Sequence, residues 1–224
     1  MSETTTDHPL AGKVALVTGG GGGLGSAIAR RLADSGAKLV ITYNQDEKKA
    51  RAAADSLAGD GHLVVQASVT ESETLADLAT TIEQRYGTLD ILVNNAGITR
   101  IVPHGDLDGL DDQLIDDIFS TNWRGAFACV RAFRKLLEAG DGGLVVNISS
   151  VAARTAVGSN IAYCASKAAM DSMTLSLARA LAPRIRVMSV SPGWVDGADA
   201  KRADPAYLAE QIDRTPLGRI AQPE

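Results

Sequence analysis

Tyr163 and Lys167 stand four residues apart in the segment IAYCASK, residues 161–167. On a helix, side chains at this spacing lie on one face about one turn apart. A free phenol is a poor acid-base catalyst near neutral pH because its pKa is about 10, but a nearby ammonium group favours the phenolate and lowers that pKa. Such a tyrosine can pass a proton to or from an alcohol or carbonyl oxygen. The pair alone is a weak signal, since most such pairs are a packed tyrosine beside an exposed lysine.

The glycine-rich run TGGGGGLG, residues 18–25, is a second stretch with chemical potential. It follows the apolar run Val14–Val17 and leads into Leu24, Ile28 and Leu32, which recur at helical spacing. Backbone without Cβ atoms can approach a pyrophosphate closely, and the N-terminus of a helix offers free N–H groups and a positive dipole end. The order strand, glycine turn and helix therefore favours a phosphate-binding loop over a merely flexible one.

Short apolar runs alternate with helical segments along the rest of the chain. We predict strands at residues 14–17, 38–43, 63–67, 90–93, 144–148 and 184–190, and helices at residues 24–34, 46–58, 72–86, 111–139 and about 161–181. The apolar runs are continuous rather than alternating, as in parallel strands buried on both faces. The pattern predicts an α/β fold in one domain of three layers, a doubly wound parallel sheet or Rossmann fold. We assign this domain to residues 12–224 and a flexible N-terminal extension to residues 1–11.

Polar or glycine-containing motifs follow four of the predicted strands. They are the glycine loop, Asn94-Asn95-Ala96-Gly97, Ser149-Ser150 and Ser191-Pro192-Gly193. In open α/β sheets, ligands bind in the crevice at the carboxyl ends of the strands. Since the helix that carries Tyr163 can begin at the same edge, we expect the Tyr163–Lys167 pair and the phosphate loop to share one site.

Composition excludes several other classes of protein. The net charge is −5, the pI is about 5.2 and no Lys/Arg-rich run is present, which argues against a nucleic-acid or anionic-membrane partner. The 2 cysteines, Cys129 and Cys164, give no disulfide framework, and the 3 scattered histidines suggest no metal site. The first ten residues lack the features of a signal peptide, and no apolar stretch is long enough to span a membrane. We expect a cytoplasmic protein.

The end of the second predicted strand bears on cofactor choice. An acid there would bond the ribose 2′-hydroxyl of NAD and repel the 2′-phosphate of NADP. Tyr43 and Asn44 occupy that point, Asp46 comes slightly late, and Lys48 and Lys49 are close by. The composition of this turn favours NADP over NAD.

The motifs together resemble those of the short-chain dehydrogenases/reductases over about residues 12 to 224. The resemblance rests on the order and spacing of TGxxxGLG at 18–25, NNAG at 94–97, Ser150 with Tyr163 and Lys167, and SPG at 191–193. NAGITR at 95–100 and TPLGR at 215–219 look loosely like 3-oxoacyl-acyl-carrier-protein reductases. The resemblance implies an oxidoreductase that transfers a hydride between a nicotinamide cofactor and a carbonyl compound or secondary alcohol, with an acyl thioester among the candidate substrates.

The resemblance also implies roles for individual residues. Asn122, Ser150, Tyr163 and Lys167 would form a catalytic tetrad. In it Tyr163 is the general acid or base, Lys167 lowers its pKa and binds the nicotinamide ribose, Ser150 polarises the substrate oxygen, and Asn122 orders a water for proton relay. The implied cofactor contacts are Gly19, Gly22, Gly23, Leu24, Gly25, Tyr43, Asn44, Ser68, Val69, Asn95, Ala96, Gly97, Tyr163, Lys167, Pro192, Gly193 and Val195.

Four departures from the family pattern leave alternatives open. Ser68 stands where the family often has Asp, Gly197 where it often has Thr, and Gly22 where many NADP users have a basic residue. Relatives also continue past residue 224 with another helix and strand, which we expect this chain to lack. A homo-oligomer, dimer or tetramer, is implied by the family. The alternatives are an NAD-dependent alcohol or sugar dehydrogenase and a non-catalytic dinucleotide-binding protein. We expect substrate contacts after Gly97, around residues 152–160, and in residues 194–208, which resemble a mobile lid.

Overall fold

A computed structural model describes residues 8–223 of the chain. Six strands are formed: β1 (Val14–Val17), β2 (Lys38–Tyr43), β3 (Leu63–Gln66), β4 (Ile91–Asn94), β5 (Gly143–Ile148) and β6 (Ile185–Val190). The α-helices are α1 (Gly23–Asp34), α2 (Glu47–Asp55), α3 (Ser72–Tyr86), α4 (Asp112–Phe119), α5 (Ala126–Ala139), α6 (Ala152–Thr155), α7 (Ile161–Leu181), α8 (Ala198–Arg202) and α9 (Pro205–Asp213). A π-helix, Ser120–Gly125, joins α4 to α5.

The six strands form one parallel sheet in the order β3-β2-β1-β4-β5-β6. The chain winds outward from β1 to β3, crosses back to β4 beside β1, and then winds outward the other way. The sheet order therefore reverses between β1 and β4, and that is the point where this class of sheet binds its ligand. The predicted doubly wound Rossmann fold is confirmed.

Alternate residues of the central strands build the two halves of the core. Val14 and Leu16 of β1 lie in a cluster with Phe133 of α5, whereas Ala15 and Val17 of the same strand lie in the opposite cluster, which also contains Ala29 of α1. Successive strand residues point to opposite faces, so a strand covered on both sides must be apolar at every position. The continuous apolar runs seen in the sequence follow from this arrangement.

The predicted element boundaries hold to within a few residues, with two exceptions. The predicted single helix over residues 111–139 is wrong in detail, because the π-helix at 120–125 interrupts it. Residues 194–208, predicted as a lid, contain α8 and the start of α9. Residues 1–7 of the predicted extension lie outside the described residues; in residues 8–11 the Leu10 N–H donates to Ser35 O at 2.9 Å. Among the described helices, none is long and apolar enough to cross a membrane.

Asp90 ties the start of β4 to β1. Its carboxylate is 8% exposed, with Oδ1 accepting from Lys13 Nζ at 2.9 Å and Oδ2 accepting from the Val14 N–H at 2.8 Å. We expect Asp90→Ala to lower the free energy of unfolding by about 2–3 kcal/mol, because a buried N–H loses its acceptor. Urea denaturation measures this.

Asp141 offers a matched control for that substitution. It also contacts Lys13 Nζ, at 3.6 Å, but its side chain is 98% exposed. Asp141→Ala should change the free energy of unfolding by less than about 0.5 kcal/mol, since exposed ion pairs contribute little. Equal losses in the two variants would contradict the assignment of Asp90 as a buried link.

Candidate active site

A cavity of about 830 Å³ opens at the carboxyl ends of the strands. This volume lies within the usual range for small-molecule and cofactor sites, about 300–1,000 Å³. All the cofactor contacts predicted from the sequence line it, and so does Ser150. Of the predicted catalytic residues, Asn122 lies behind the cavity rather than on its surface. Folding thus brings residues from positions 19 to 202 of the chain to one crevice.

The glycine loop passes from β1 into α1 with space left above it. Around Gly22 and Gly23, no heavy atom from another part of the molecule lies within 4 Å of where a Cβ would stand. Gly23 has φ +49°, a conformation that favours glycine. A Cβ on Gly25 would lie 2.6 Å from both Asn95 Nδ2 and Gly19 O, so this position requires glycine for close packing.

The start of α1 suits an anion. Its N-cap, Gly22, provides no side-chain cap, and its first turn contains no acidic residue. The first N–H groups of a helix lack partners within the helix and carry the positive end of its dipole. The open loop and this uncapped helix end therefore fit the pyrophosphate of a dinucleotide.

Asn95 and Thr18 fasten the β4 loop to the glycine loop. Asn95 Nδ2 donates to Thr18 O at 3.0 Å and to Gly19 O at 3.2 Å. Thr18 Oγ1 accepts from the N–H groups of Asn95 and Ala96, at 3.1 and 3.0 Å. An asparagine directly after a buried strand is thus used to hold two loops at the switch point, an outcome that the local sequence did not distinguish from an ordinary turn.

The segment after β2 places a cation, the Lys49 side chain in the first turn of α2, at the cavity. Tyr43, Asn44 and Lys49 line the cavity. Asp46 caps α2 by accepting from the Lys49 N–H at 3.0 Å, and its carboxylate lies 2.8 Å from Lys49 Nζ. The hydrogen bond from the Lys49 side chain is the main reason that the pKa of Asp46 is lowered. Asp46, which follows the position where an NAD-binding acid is expected, is therefore already paired with Lys49.

Ser68 is 7% exposed at the end of β3, with its hydroxyl already engaged. The Ser68 Oγ lies 2.8 Å from Thr70 Oγ1 and accepts from the Thr70 N–H at 3.3 Å. Ser68, Val69 and Thr70 all line the cavity. The paired hydroxyl groups of Ser68 and Thr70 are thus the polar side-chain groups that the segment after β3 contributes to the cavity.

Helix α7 presents Tyr163 and Lys167 to the same cavity. The Lys167 Nζ lies 5.7 Å from the centroid of the Tyr163 ring and donates to Ile148 O at 2.7 Å. Lys167 is 5% exposed, and burial lowers its pKa to about 8, with the charge of Asp171 acting in the opposite direction. The ammonium group is therefore held next to the phenol in a poorly solvated place.

The two serines after β5 differ in their surroundings. Ser149 is 3% exposed, and its hydroxyl donates to Lys167 O at 3.4 Å. Ser150 is half-buried, and its Oγ accepts from the Ala152 N–H at 3.2 Å. Ser150, the predicted member of the tetrad, is the more accessible of the two.

Asn122 lies in the π-helix and is fully buried. Its Oδ1 accepts from the Ile98 N–H at 2.8 Å, while its Nδ2 donates to Ile98 O and to Ser166 Oγ, both at 3.1 Å. A Cβ on Gly97 would lie 3.2 Å from Asn122 Oδ1 and 3.7 Å from Lys167 Nζ. Asn122 and Lys167 therefore pack against the same glycine, and the tetrad residues converge on one edge of the sheet.

Several residues that sequence reasoning did not place in the site also line the cavity. They include Thr42, Thr70 and Thr121. The first two lie beside predicted strand ends, whereas Thr121 belongs to the π-helix, which was not predicted. Asp196 and Arg202 also line the cavity, and both belong to residues 194–208, where substrate contacts were expected. Among the residues that the structure describes, no group of three or more His, Cys, Asp or Glu could hold a metal ion.

Comparison with known proteins gives the relatives of this chain. The family model for short chain dehydrogenases matches residues 13–207. A 3-oxoacyl-(acyl-carrier-protein) reductase of Staphylococcus aureus is 32% identical over 213 residues, covering 94% of this chain and 85% of that protein. A short-chain type dehydrogenase/reductase of Picea abies is 39% identical over 195 residues, covering 83% of this chain and 72% of that protein.

A solved structure agrees with these sequence matches. The crystal structure of a dehydrogenase/reductase from Sinorhizobium meliloti 1021 aligns with a TM-score of 0.88 at 35% identity, covering 97% of this chain and 86% of that chain. The family model and these relatives span the glycine loop, the β4 loop and the Tyr163 helix in one alignment. The chain therefore belongs to the short-chain dehydrogenase/reductase family and is an NAD(P)-dependent oxidoreductase.

Proposed function

We propose that the protein reduces a carbonyl compound, or oxidises the corresponding secondary alcohol, with NADP(H) as the favoured cofactor and Tyr163 as the general acid or base. One observation carries the proposal: Tyr163, Lys167 and Ser150 line the same cavity as the glycine loop. A coenzyme-difference assay across a panel of ketones, 3-oxoacyl thioesters and secondary alcohols tests it. Cofactor binding without turnover of any substrate would favour the non-catalytic alternative.

Each side chain has a role that follows from its surroundings. Tyr163 donates its phenolic proton to the carbonyl oxygen in reduction and accepts a proton from the alcohol in oxidation. The buried Lys167 ammonium, 5.7 Å from the ring centroid, favours the phenolate. Ser150 hydrogen-bonds the substrate oxygen, and Asn122 holds the Ile98 backbone beside Lys167 while serving the proton relay.

The nicotinamide cofactor supplies or accepts the hydride. The glycine loop and the start of α1 bind its pyrophosphate, and residues 43–44 and 68–69 line the part of the crevice toward the adenosine. Asn95 fixes the spacing between the glycine loop and the β4 loop at Gly97. The protein thereby contributes binding, orientation and electrostatics, and it places the phenol at the reacting oxygen.

The NADP preference rests on Lys49. This lysine lines the cavity beside Tyr43 and Asn44, and its charge attracts a 2′-phosphate. We expect Lys49→Glu to raise the KM for NADPH about tenfold or more while changing the KM for NADH less than about threefold, because a like charge now faces the phosphate. Steady-state kinetics with both cofactors measures the two constants.

Lys48 is the control for that prediction. It is exposed and adjacent in sequence but does not line the cavity. Lys48→Glu makes the same change in net charge, so it should leave the KM for NADPH within about twofold. Equal effects of the two substitutions would show a long-range charge effect rather than a phosphate contact.

The acyl-thioester class and the assembly state are also proposals. Likeness to a 3-oxoacyl-(acyl-carrier-protein) reductase supports 3-oxoacyl thioesters as substrates.

The stacked rings of Trp123 and Phe127, with centroids 6.1 Å apart, are 36% and 37% exposed and support a homo-oligomer, a dimer or tetramer. Light scattering on the purified protein at several concentrations measures its mass, and we propose the cytoplasm as its location.

A further inference from the structure

We infer that the substrate carries an aliphatic or aromatic substituent on its carbonyl carbon rather than a polyhydroxylated chain. The inference rests on the proposed function and concerns the wall of the cavity beside Ser150 and Tyr163. Three aliphatic side chains line the cavity from neighbouring segments: Ile98 after β4, Val151 after β5 and Val157 before α7. Together we call these side chains the aliphatic wall. Hydrogen bonds join the three segments, since Thr155 Oγ1 donates to Val151 O and accepts from the Val157 N–H, and the Thr99 hydroxyl pairs with that of Ser159.

The aliphatic wall is unusually exposed for side chains of this type. Ile98 is 42% exposed, Val151 is 42% exposed and Val157 is 40% exposed. Isolated exposed aliphatic residues are ordinary, but three from separate loops in one cavity form an apolar lining that water covers poorly. An apolar substituent that displaced this water would gain about 0.8 kcal/mol, or about fourfold in affinity, for each buried CH₂ group.

Apart from Lys167, the charged residues that line the cavity belong to other segments. Lys49 is on α2 beside the turn after β2, and Asp196 and Arg202 belong to the segment after β6. The cavity-lining residues that adjoin the three aliphatic residues in the chain are neutral, namely Thr99, Ser150, Ala152, Gly158 and Ser159. The hydroxyl of Thr99 is already hydrogen-bonded to that of Ser159. A sugar-like substrate would therefore find few polar partners for its hydroxyl groups here.

Backbone geometry presents Val157 at this wall. Ala156, which ends α6, has φ +53°, the only positive value of a non-glycine residue in the described chain. Such a conformation costs energy for an alanine and tends to be kept at functional sites. The turn is further held by the Val157 N–H, which donates to Thr155 Oγ1 at 3.2 Å.

The test compares apolar and polar ketones with the full-length protein and NADPH. We expect kcat/KM for 2-octanone to exceed that for dihydroxyacetone by about a hundredfold. The double variant Val151→Thr/Val157→Thr keeps the branched shapes and adds two hydroxyl groups, and it should lower kcat/KM for 2-octanone about tenfold. Val190→Thr, on an exposed strand position outside the cavity, should leave it within about twofold.

Binding provides a readout that does not need turnover. In the presence of NADPH, 2-octanol should raise the Tm of the wild-type protein more than glycerol does, and the double variant should lose this difference. A kcat/KM for dihydroxyacetone equal to or greater than that for 2-octanone would overturn the inference. Equal effects of the double variant and of Val190→Thr on kcat/KM for 2-octanone would also overturn it. If neither ketone is reduced but 2-octanol still binds, the proposed function fails and the substrate class stands.

A second inference concerns Asn160, which we propose as a positioning residue for Tyr163. Asn160 is fully buried and caps α7, with its Oδ1 accepting from the Tyr163 N–H at 2.7 Å. Its Nδ2 donates to Arg100 O at 2.7 Å and to Thr99 Oγ1 at 3.3 Å. One amide thus joins the backbone of Tyr163 to the loop that carries Ile98 of the aliphatic wall.

Kinetics separates positioning from simple stabilisation. Asn160→Ala should lower kcat about tenfold, shift the pH profile of kcat and leave the Kd for NADPH unchanged, because Tyr163 loses its backbone anchor while the cofactor loops remain. Asn160→Asp keeps an acceptor for the Tyr163 N–H and should recover most of kcat. If Asn160→Ala does not fold, Asn160→Ser, whose side chain is a shorter acceptor, replaces it in the same kinetic measurements.

Asp111 supplies a matched control. It caps α4 by accepting from the Leu114 N–H at 2.8 Å, away from the cavity lining. Asp111→Ala should lower the Tm by a similar few degrees while kcat and its pH profile stay as in the wild type. An Asn160→Ala variant that loses Tm like Asp111→Ala but keeps kcat within twofold would overturn the assignment.

Discussion

Tyr163→Phe should lower kcat for carbonyl reduction by a factor of about 10²–10⁴ and leave the Kd for NADPH within about twofold. The substitution removes one oxygen from a half-buried ring that lines the cavity, so packing and the cofactor loops are retained. What is lost is the proton donor next to the Lys167 ammonium. Stopped-flow measurement of NADPH oxidation, with NADPH binding followed by fluorescence, gives both quantities.

Tyr207 provides the control for this result. It lies on α9 in edge-to-face contact with Trp194, 6.1 Å between ring centroids, and does not line the cavity. Tyr207→Phe should keep kcat within about threefold of the wild type. Full activity in Tyr163→Phe would remove Tyr163 from the mechanism, and the non-catalytic alternative would gain support only if the wild-type protein also bound cofactor without turnover.

Lys167→Met should abolish most activity and yet stabilise the protein near pH 7. Burial lowers the pKa of Lys167 from 10.5 to about 8, which corresponds to a cost of about 3 kcal/mol for keeping it charged in the native state. Loss of its hydrogen bond to Ile148 O, 2.7 Å long, offsets about 1–2 kcal/mol of the gain. We expect a Tm higher by about 2–4 °C, with kcat lower by at least about a hundredfold.

The stability advantage of Lys167→Met over the wild type should decrease as the pH rises. The native-state pKa of Lys167, about 8, lies below the unfolded value, so between about pH 8 and 10.5 the unfolded chain binds more protons. Wild-type stability therefore gains from this group as the pH rises through that window, and the advantage of Lys167→Met shrinks. Urea denaturation at pH 7 and pH 10 measures both variants.

Lys135→Met separates this effect from the general loss of a charge. Lys135 is exposed on α5, and the same substitution there should change the Tm by less than about 1 °C. A Lys167→Met variant that is less stable than the wild type at pH 7, or whose difference from the wild type does not change with pH, would contradict the burial argument. In the proposed mechanism, the same cation that favours the phenolate of Tyr163 is costly to bury.

The strands, the glycine loop and the shared helix face of Tyr163 and Lys167 could be predicted from the local sequence. The continuous apolar runs predicted all six strands, because strands buried on both faces tolerate few polar residues. The glycines at 19–25 predicted an open anion-binding turn, and in the structure the positive φ of Gly23 favours glycine while the close packing at Gly25 leaves no room for a Cβ. The helical spacing of Tyr163 and Lys167 was enough to place both on one face.

Features that depend on distant partners were not available from local patterns. The π-helix at 120–125 has no residue signature, and Asn122 within it is held by Ile98 and Ser166, which lie far away in the sequence. The position of Asn160 between Tyr163 and Arg100 joins segments 60 residues apart. Ser149 and Ser150 both line the cavity, and only the fold shows that the Ser149 hydroxyl donates to Lys167 O while Ser150 is the more exposed of the two.

Residue types and their periodicity by themselves predicted the strands, the glycine loop and the placement of Tyr163 and Lys167 on one helix face. Tertiary structure alone decided the electrostatics: that Lys167 is desolvated, that Asp46 is bound by Lys49, and that three aliphatic side chains share one wall. The physical reason is that periodicity and steric freedom act over neighbouring residues, whereas solvation and charge are set by whatever the fold brings within a few ångströms.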